Sequence, residues 1–204
     1  MEGDLLKLFD SKEFCKNLYE SAKITSKTGH ESGFLVARNR INRRYHYTNV
    51  IKGTCDNVQL FGESDYQNKF PENEFLLYLD LHLHPTNEIP APSLGDLGGT
   101  DVNYELAGHC PIRSIGAVRD KKIELLLIQG KTKEQPSHSL VSEFYQSFDE
   151  DLEKVESLEE VSEAIRKSGL YDAESVDYSF KNNTCKLDSR HKNKLDIFTK
   201  RLKL

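Results

Sequence analysis

The sequence predicts an α/β fold in which a mixed β-sheet is flanked by helices. Short apolar segments with strand-like alternation are interleaved with segments of helical periodicity, and polar turns separate them. The chain has 204 residues, of which 37% are hydrophobic and 30% charged, so it can bury one substantial core. We therefore expect a globular protein built around one main sheet.

The N-terminal two-thirds of the chain contains most of the predicted strands. An amphipathic helix is predicted over residues 11–25, with its apolar face formed by Phe14, Leu18, Ala22 and Ile24. Residues 34–37 and 45–51 are predicted to form a hairpin, followed by a long polar loop over residues 53–73. The remaining predicted elements are a strand over 75–84, a helix from 93 to about 107, and strands over 112–118 and 123–129.

After residue 130 the character of the sequence changes. A polar segment with Pro136 is predicted to be a linker, and helical patterns dominate the rest of the chain. The predicted elements are helices over 140–152, 158–168 and 190–202, and one strand over 175–180. We therefore divide the chain into a main domain, 1–130, and a mainly helical C-terminal extension, 131–204.

The predicted strand over residues 75–84 carries the most informative pattern. Alternation places Phe75, Leu77, Leu79, Leu81 and Leu83 on one wholly apolar face. The opposite face ends with two imidazoles side by side. The polar face of this strand is therefore a candidate site.

The end of this strand has a metal-ligand pattern. Pro85 cannot continue a β-ladder, so the strand is predicted to stop where His82 and His84 emerge. Ser93-x-x-Asp96 then marks a helix start and places Asp96 near the strand end. Two histidines and a carboxylate form a three-ligand zinc set that leaves a fourth position for water. The spacing predicts a catalytic zinc site rather than a structural one.

Each half of this pattern also has a simpler interpretation. A His-x-His pair on a strand is commonly two ordinary polar residues, and Ser93-x-x-Asp96 is similar to a capping box. The capping and zinc interpretations are compatible, because a capped helix can hold Asp96 towards a metal. The occurrence of both patterns in one short segment favours a zinc site.

The segment resembles the JAMM metalloproteases, also called the MPN-plus or JAB domain family. The family motif is an upstream Glu, then His-x-His-Pro, about seven residues, and Ser-x-x-Asp. In this chain eight residues separate His84 from Ser93, and Leu83 stands where Ser or Thr is common. The resemblance covers about residues 31–129. It implies a JAMM/MPN-like, cytidine-deaminase-like mixed sheet flanked by helices.

The resemblance also implies roles for individual residues. His82, His84 and Asp96 would bind one Zn²⁺ per chain, and Ser93 would steady the oxyanion. The upstream Glu corresponds to Glu31, which would act as general base; Gly33 follows it by two positions, where many members have three. Glu20 is a second candidate for the base.

The activity implied by the resemblance is zinc-dependent hydrolysis of peptide or isopeptide bonds. Many members of the family remove ubiquitin or ubiquitin-like proteins from conjugates, so a ubiquitin-like conjugate or another peptide is the expected substrate. Two alternatives stay open. The same fold serves as a non-catalytic protein-binding scaffold, and a bacterial DNA-repair-associated family has a similar His-x-His-Pro and Pro-Ser-x-x-Asp segment.

The composition of the chain limits which partners and which cellular compartment we expect. The net charge of −5 gives no general case for nucleic acid binding, and the basic segment 38–47 is interpreted as a charged hairpin turn. No apolar run approaches the ~18 residues that cross a bilayer. The N-terminus lacks a signal-peptide pattern, and the four cysteines form no Cys-x-x-Cys pair. We expect a cytoplasmic protein with reduced thiols, in which Cys110 is a packing residue rather than a nucleophile paired with His109.

Overall fold

The structure, a computed structural model, describes residues 4–60, 65–85, 89–98, 111–119, 121–131, 136–152 and 154–202. Within these ranges eight strands form one sheet. The helices are α1 Asp4–Phe9, α2 Lys12–Thr28, α3 Tyr66–Lys69, α4 Leu94–Gly98, α5 His138–Leu152, α6 Leu158–Lys167 and α7 Lys192–Arg201. The strands are β1 Ser32–Asn39, β2 Tyr45–Tyr47, β3 Ile51–Lys52, β4 Phe75–His84, β5 Ile112–Arg119, β6 Lys122–Gly130, β7 Tyr171–Lys181 and β8 Thr184–Leu187.

The sheet is mixed, as predicted. Its strand order is β2-β1-β4-β5-β6-β7-β8, and β3 also pairs with β1. β4 and β5 are parallel, whereas every other pairing of these strands is antiparallel. A parallel pair needs a crossover connection, and the connection between β4 and β5 contains α4. This topology places α4 beside the end of β4.

Helices cover both faces of the sheet. On one face α1, α2 and α7 pack on a core that includes Phe14, Leu81, Leu125 and Tyr178. On the other face α4, α5 and α6 enclose a second cluster around Leu126. A helix layer on each face buries both sides of the central strands, which explains their nearly continuous apolar sequence. No helix in the described ranges is long and apolar enough to cross a membrane.

Helix α2 confirms the prediction over residues 11–25 and extends three residues beyond it. Ser11 caps it by accepting a hydrogen bond from the Phe14 amide at 3.2 Å. Gly29, with φ of +66°, ends it in the left-handed conformation that favours glycine. Ile24 is only half-buried, and Thr25 occupies the inner position instead.

Strand β4 has the predicted bounds, but its apolar face is divided. The register with β1 shifts between Val36 and Ala37, so that they pair with Leu79 and Leu77 and leave one extra residue in β4. The shift moves Leu77 to the opposite face, where it packs with Leu35 in a third cluster. The prediction of one uninterrupted apolar face was therefore wrong before Leu79 and holds from Leu79 to the strand end.

The strand predicted over residues 45–51 is interrupted. β2 and β3 lie on either side of Thr48, whose hydroxyl accepts a hydrogen bond from the Leu35 amide at 2.9 Å. The Thr48 amide in turn donates to the Leu35 carbonyl at 3.0 Å. A side chain thus replaces part of the backbone ladder. The predicted loop after Gly53 contains the short helix α3, and residues 61–64 lie outside the described ranges.

The segment after residue 131 contributes to the main sheet as well as adding helices. β7 pairs with β6 over nine residue pairs and is much longer than the strand predicted over 175–180. β8, which was not predicted, returns along β7 through a tight turn at Asn182 and Asn183, both with positive φ. The helices predicted over 140–152, 158–168 and 190–202 correspond to α5, α6 and α7.

Candidate metal centre

The candidate site lies where the end of β4 meets the start of β1. The register pairs Ser32 with Leu83 and Gly33 with His82, so Glu31 comes beside His84. The backbone of Glu31 is fixed from the other side, because its amide donates to the Thr54 carbonyl at 2.6 Å. Sheet pairing therefore brings together groups that are about fifty residues apart in the sequence.

Three of the predicted site residues form a compact group. The Nε2 atoms of His82 and His84 are 3.0 Å apart. Glu31 Oε1 lies 3.7 Å from His84 Nε2. One potential ligand atom from each of these residues lies within 4.8 Å of the others. The group is mostly buried, with Glu31 only 8% exposed.

Asp96, on α4, contacts His82 but is not a member of this group of three. Its Oδ1 lies 3.1 Å from His82 Nε2, and its Oδ2 accepts hydrogen bonds from the amide and hydroxyl of Ser93, both at 2.7 Å. The two carboxylate oxygens thus have separate partners. An orienting hydrogen bond of this kind is typical of carboxylates that bind metals.

Ser93 also caps the start of α4, as predicted. Its hydroxyl oxygen accepts a hydrogen bond from the Asp96 amide at 3.2 Å. The predicted helix continues in the described ranges only to Gly98; the rest, with His109 and Cys110, lies outside them.

Burial and mutual charge shift the pKa values of the site residues in different directions. Burial raises the pKa of Glu31, although His82 partly offsets this. Burial and the neighbouring His82 charge lower the pKa of His84 to about 4. Burial alone would lower the pKa of His82, but the hydrogen bond and charge of Asp96 raise it overall. The pKa of Asp96 is lowered, because its hydrogen bonds with His82 and Ser93 outweigh the effect of burial.

The donor set fits a divalent metal such as zinc. Zinc takes imidazole nitrogen and carboxylate oxygen at about 2.0–2.2 Å, which corresponds to separations of about 3.3 Å between tetrahedral ligands. The His82–His84 and His82–Asp96 separations of 3.0 and 3.1 Å are close to this value. Both carboxylates supply negative charge at the imidazole pair. Glu31, His82 and His84 could therefore hold a metal ion. Asp96 is a second candidate for the third ligand through its contact with His82.

Two residues that the sequence prediction missed support the site. Asp80 and Arg113 are paired across β4 and β5, with Arg113 Nε 3.5 Å from Asp80 Oδ2. Arg113 also donates to the backbone carbonyls of Gly95 and Asp96 in α4. Asp80 was the available signal, because a carboxylate in an otherwise apolar buried strand requires a partner.

The other candidates lie apart from this group. Glu20 is exposed on α2 and is not a member of it. Arg38, in the basic segment, is buried, with its guanidinium carbon 5.8 and 5.5 Å from the ring centres of Tyr45 and Tyr78. It is therefore a packed residue of the hairpin rather than an exposed cation.

No protein-family model matches the sequence, and no curated protein matches it.

Proposed function

We propose that this protein is a zinc-dependent hydrolase of peptide or isopeptide bonds, of the JAMM/MPN-plus kind. The observation that carries the proposal is the convergence of Glu31, His82 and His84, with Asp96 3.1 Å from His82. The mixed sheet flanked by helices is compatible with the fold that the resemblance implies. A non-catalytic scaffold is less well supported, because every residue required for the chemistry is present.

In this proposal His82, His84 and Asp96 hold the metal and Glu31 is the base. Asp96 is assigned as the third ligand because the family resemblance implies it and its Oδ1 lies 3.1 Å from His82 Nε2. Glu31, whose Oε1 lies 3.7 Å from His84 Nε2, is assigned as the base on the same resemblance. The Ser93 amide orients Asp96 by donating to its second carboxylate oxygen at 2.7 Å. Glu31, just before β1, is assigned the task of accepting a proton from the attacking water.

The chemistry is divided between the metal and the side chains. A bound Zn²⁺ would supply Lewis acidity for the attacking water and for the substrate carbonyl. Glu31 takes a proton from the attacking water as the new carbon–oxygen bond forms. Ser93, when its hydroxyl turns away from Asp96, donates a hydrogen bond to the developing oxyanion. Glu31 then passes the proton to the amine as the carbon–nitrogen bond breaks.

The substrate class rests on the resemblance. A ubiquitin-like conjugate would present a lysine amine as the leaving group, and an ordinary peptide would present an α-amine. Both reactions consume one water and yield a carboxylic acid and an amine, so the same residues serve either.

The test combines metal analysis with turnover of ubiquitin-like conjugates and model peptides. Wild-type protein is expected to bind about one zinc per chain and to cleave at least one conjugate. Glu31→Gln should keep the zinc and lose nearly all turnover, since the amide cannot accept the proton. Asp96→Asn and His84→Ala should lose zinc and turnover together.

Glu20→Gln is the matched control, because Glu20 is exposed on α2 and should leave both measurements unchanged. Loss of zinc in Glu31→Gln, with zinc retained in Asp96→Asn, would exchange the roles of the two carboxylates. Wild-type protein that binds no zinc would overturn the proposal. Salt-sensitive binding to duplex DNA without cleavage would favour the DNA-associated alternative instead.

A further inference from the structure

Helix α4 carries Asp96, so the position of its backbone decides where the Asp96 carboxylate lies. The structure describes Leu94–Gly98 of this helix. Within this range, side chains of the sheet donate hydrogen bonds to its backbone carbonyls. Groups outside α4 that bind its backbone therefore help to keep the Asp96 carboxylate beside His82.

Arg113 supplies one such group. Its guanidinium donates to the Gly95 carbonyl at 3.2 Å and to the Asp96 carbonyl. Its Nε lies 3.5 Å from Asp80, and both side chains of this pair are mostly buried. One side chain of β5 thus links the backbone of α4 to a carboxylate of β4.

Tyr171 supplies a second group that binds the backbone of α4. Its hydroxyl donates to the Leu97 carbonyl at 2.8 Å, and the residue is 3% exposed. Three consecutive carbonyls of α4, at residues 95, 96 and 97, therefore accept hydrogen bonds from side chains of the sheet. Tyr171 belongs to β7, beyond the part of the chain that carries the family resemblance.

The link reaches the imidazoles through β4. Asp80 precedes His82 by two residues, so the two side chains lie on the same face of the strand. Arg113 thereby joins the strand that carries His82 to the peptide unit that carries Asp96. The 3.1 Å separation of His82 and Asp96 depends on the relative position of these two elements.

We propose that Arg113, assisted by Tyr171, is a positioning residue that holds Asp96 at ligand distance from His82. The inference rests on the proposed function, in which Asp96 and His82 share a metal. Loss of an outer residue that orients a metal ligand typically weakens metal binding by about 10- to 100-fold. Lysine cannot replace this arginine, because one ammonium lacks the planar fork that reaches two carbonyls and a carboxylate together.

The experiment measures zinc affinity by competition with a chromogenic chelator in wild type, Arg113→Lys and Tyr171→Phe. Arg113→Lys should weaken zinc binding by about 10- to 100-fold. Tyr171→Phe, which removes one hydrogen bond, should weaken it by a factor of about five. The visible absorption of the Co²⁺-loaded proteins should change in the same order, because it reports the ligand geometry directly.

Arg119→Lys is the matched control. Arg119 lies on the same strand and pairs with Glu124 of β6 at 2.9 Å, so it tests the loss of an arginine ion pair that does not involve α4. It should bind zinc and Co²⁺ as wild type does. Thermal unfolding in excess chelator shows whether each variant is folded before metal is added.

The outcomes separate the two proposals. Wild-type protein without zinc affinity would overturn the proposed function and this inference together. Wild-type affinity, with unchanged affinity and Co²⁺ spectrum in both Arg113→Lys and Tyr171→Phe, would overturn this inference alone. If Arg113→Lys does not fold, the Tyr171→Phe affinity and spectrum decide: a change supports the inference and no change overturns it.

Discussion

At the scale of single residues, Gly33 is as important to the site as the side chains that carry donor atoms. It pairs with His82 between β1 and β4. A Cβ added at Gly33 would overlap the Leu81 carbonyl oxygen and lie 2.9 Å from His82 Cα. Only glycine permits this approach, which keeps β1 and β4 close together beside the candidate site.

Gly33→Ala should therefore destabilise the fold by about 1–3 kcal/mol and weaken zinc binding, since β1 must move away from β4. Denaturant unfolding and chelator competition measure the two effects. Gly95→Ala is the stability control: its added Cβ would meet only Ser93 Oγ at 3.6 Å, and alanine favours helix. Equal stability of Gly33→Ala and wild type would contradict the close approach.

At the scale of elements, a side-chain contact holds a short helix against the sheet. The 3₁₀ helix Ser189–His191 follows β8 and is joined to β7, because His191 Nε2 lies 3.3 Å from Asp177 Oδ2. The hydrogen bond with His191 lowers the pKa of Asp177. The pair therefore fastens the start of α7 to the sheet edge that β7 and β8 form.

This pair predicts a pH dependence. Because the pKa of Asp177 is lowered by folding, the folded state binds fewer protons than the unfolded state in acid. Its contribution to stability is fully present above the unfolded value of about 3.9 and is lost as the pH falls through the folded value. The difference in unfolding free energy between wild type and Asp177→Asn should shrink as the pH falls below about pH 4.

Denaturant unfolding of both proteins at a series of acidic pH values provides the measurement. Subtracting one free energy of unfolding from the other cancels the contribution of the other carboxylates. If the difference in unfolding free energy is the same at low pH, the pKa of Asp177 does not change on folding. Asp196→Asn, whose carboxylate is 3.8 Å from Lys200 on the exposed side of α7, is a control with little expected effect.

At the scale of the whole molecule, the C-terminal segment and the candidate metal site belong to one sheet. β6 is buried on both faces, with Leu125 and Leu127 in one cluster and Leu126 in the other. β7 covers the edge of β6 along its whole length, and Tyr171 of β7 reaches α4. The boundary predicted near residue 130 therefore falls inside the sheet that supports the site.

A fragment of residues 1–130 should accordingly fail to fold cooperatively. It would expose the unpaired edge of β6 and the apolar surfaces that α6 and β7 cover, which favours aggregation. Circular dichroism and denaturant titration of the fragment test this, and co-expression with residues 131–204 should restore soluble protein. A fragment with a sharp unfolding transition and normal zinc affinity would show that the sheet does not need β7.

Local pattern determined much of this protein, including most of the site. Alternation and Pro85 set the bounds of β4 and aligned His82 with His84, and Ser93 marked the start of α4, because these preferences act between neighbouring residues. Glu31 required the family resemblance, since nothing local distinguishes it from other strand-end carboxylates.

Tertiary structure alone decided the features that depend on distant parts of the chain. The register shift beside Val36, the pairing of β7 with β6 and the contacts of Arg113 arise between segments whose separation in sequence carries no periodic signal. The distances from His82 to Asp96 and from His84 to Glu31 also depend on such distant segments. The sequence determines the donor atoms of the candidate site, and the packing of β1, β4 and α4 determines how closely they approach, because these elements meet only in the folded chain.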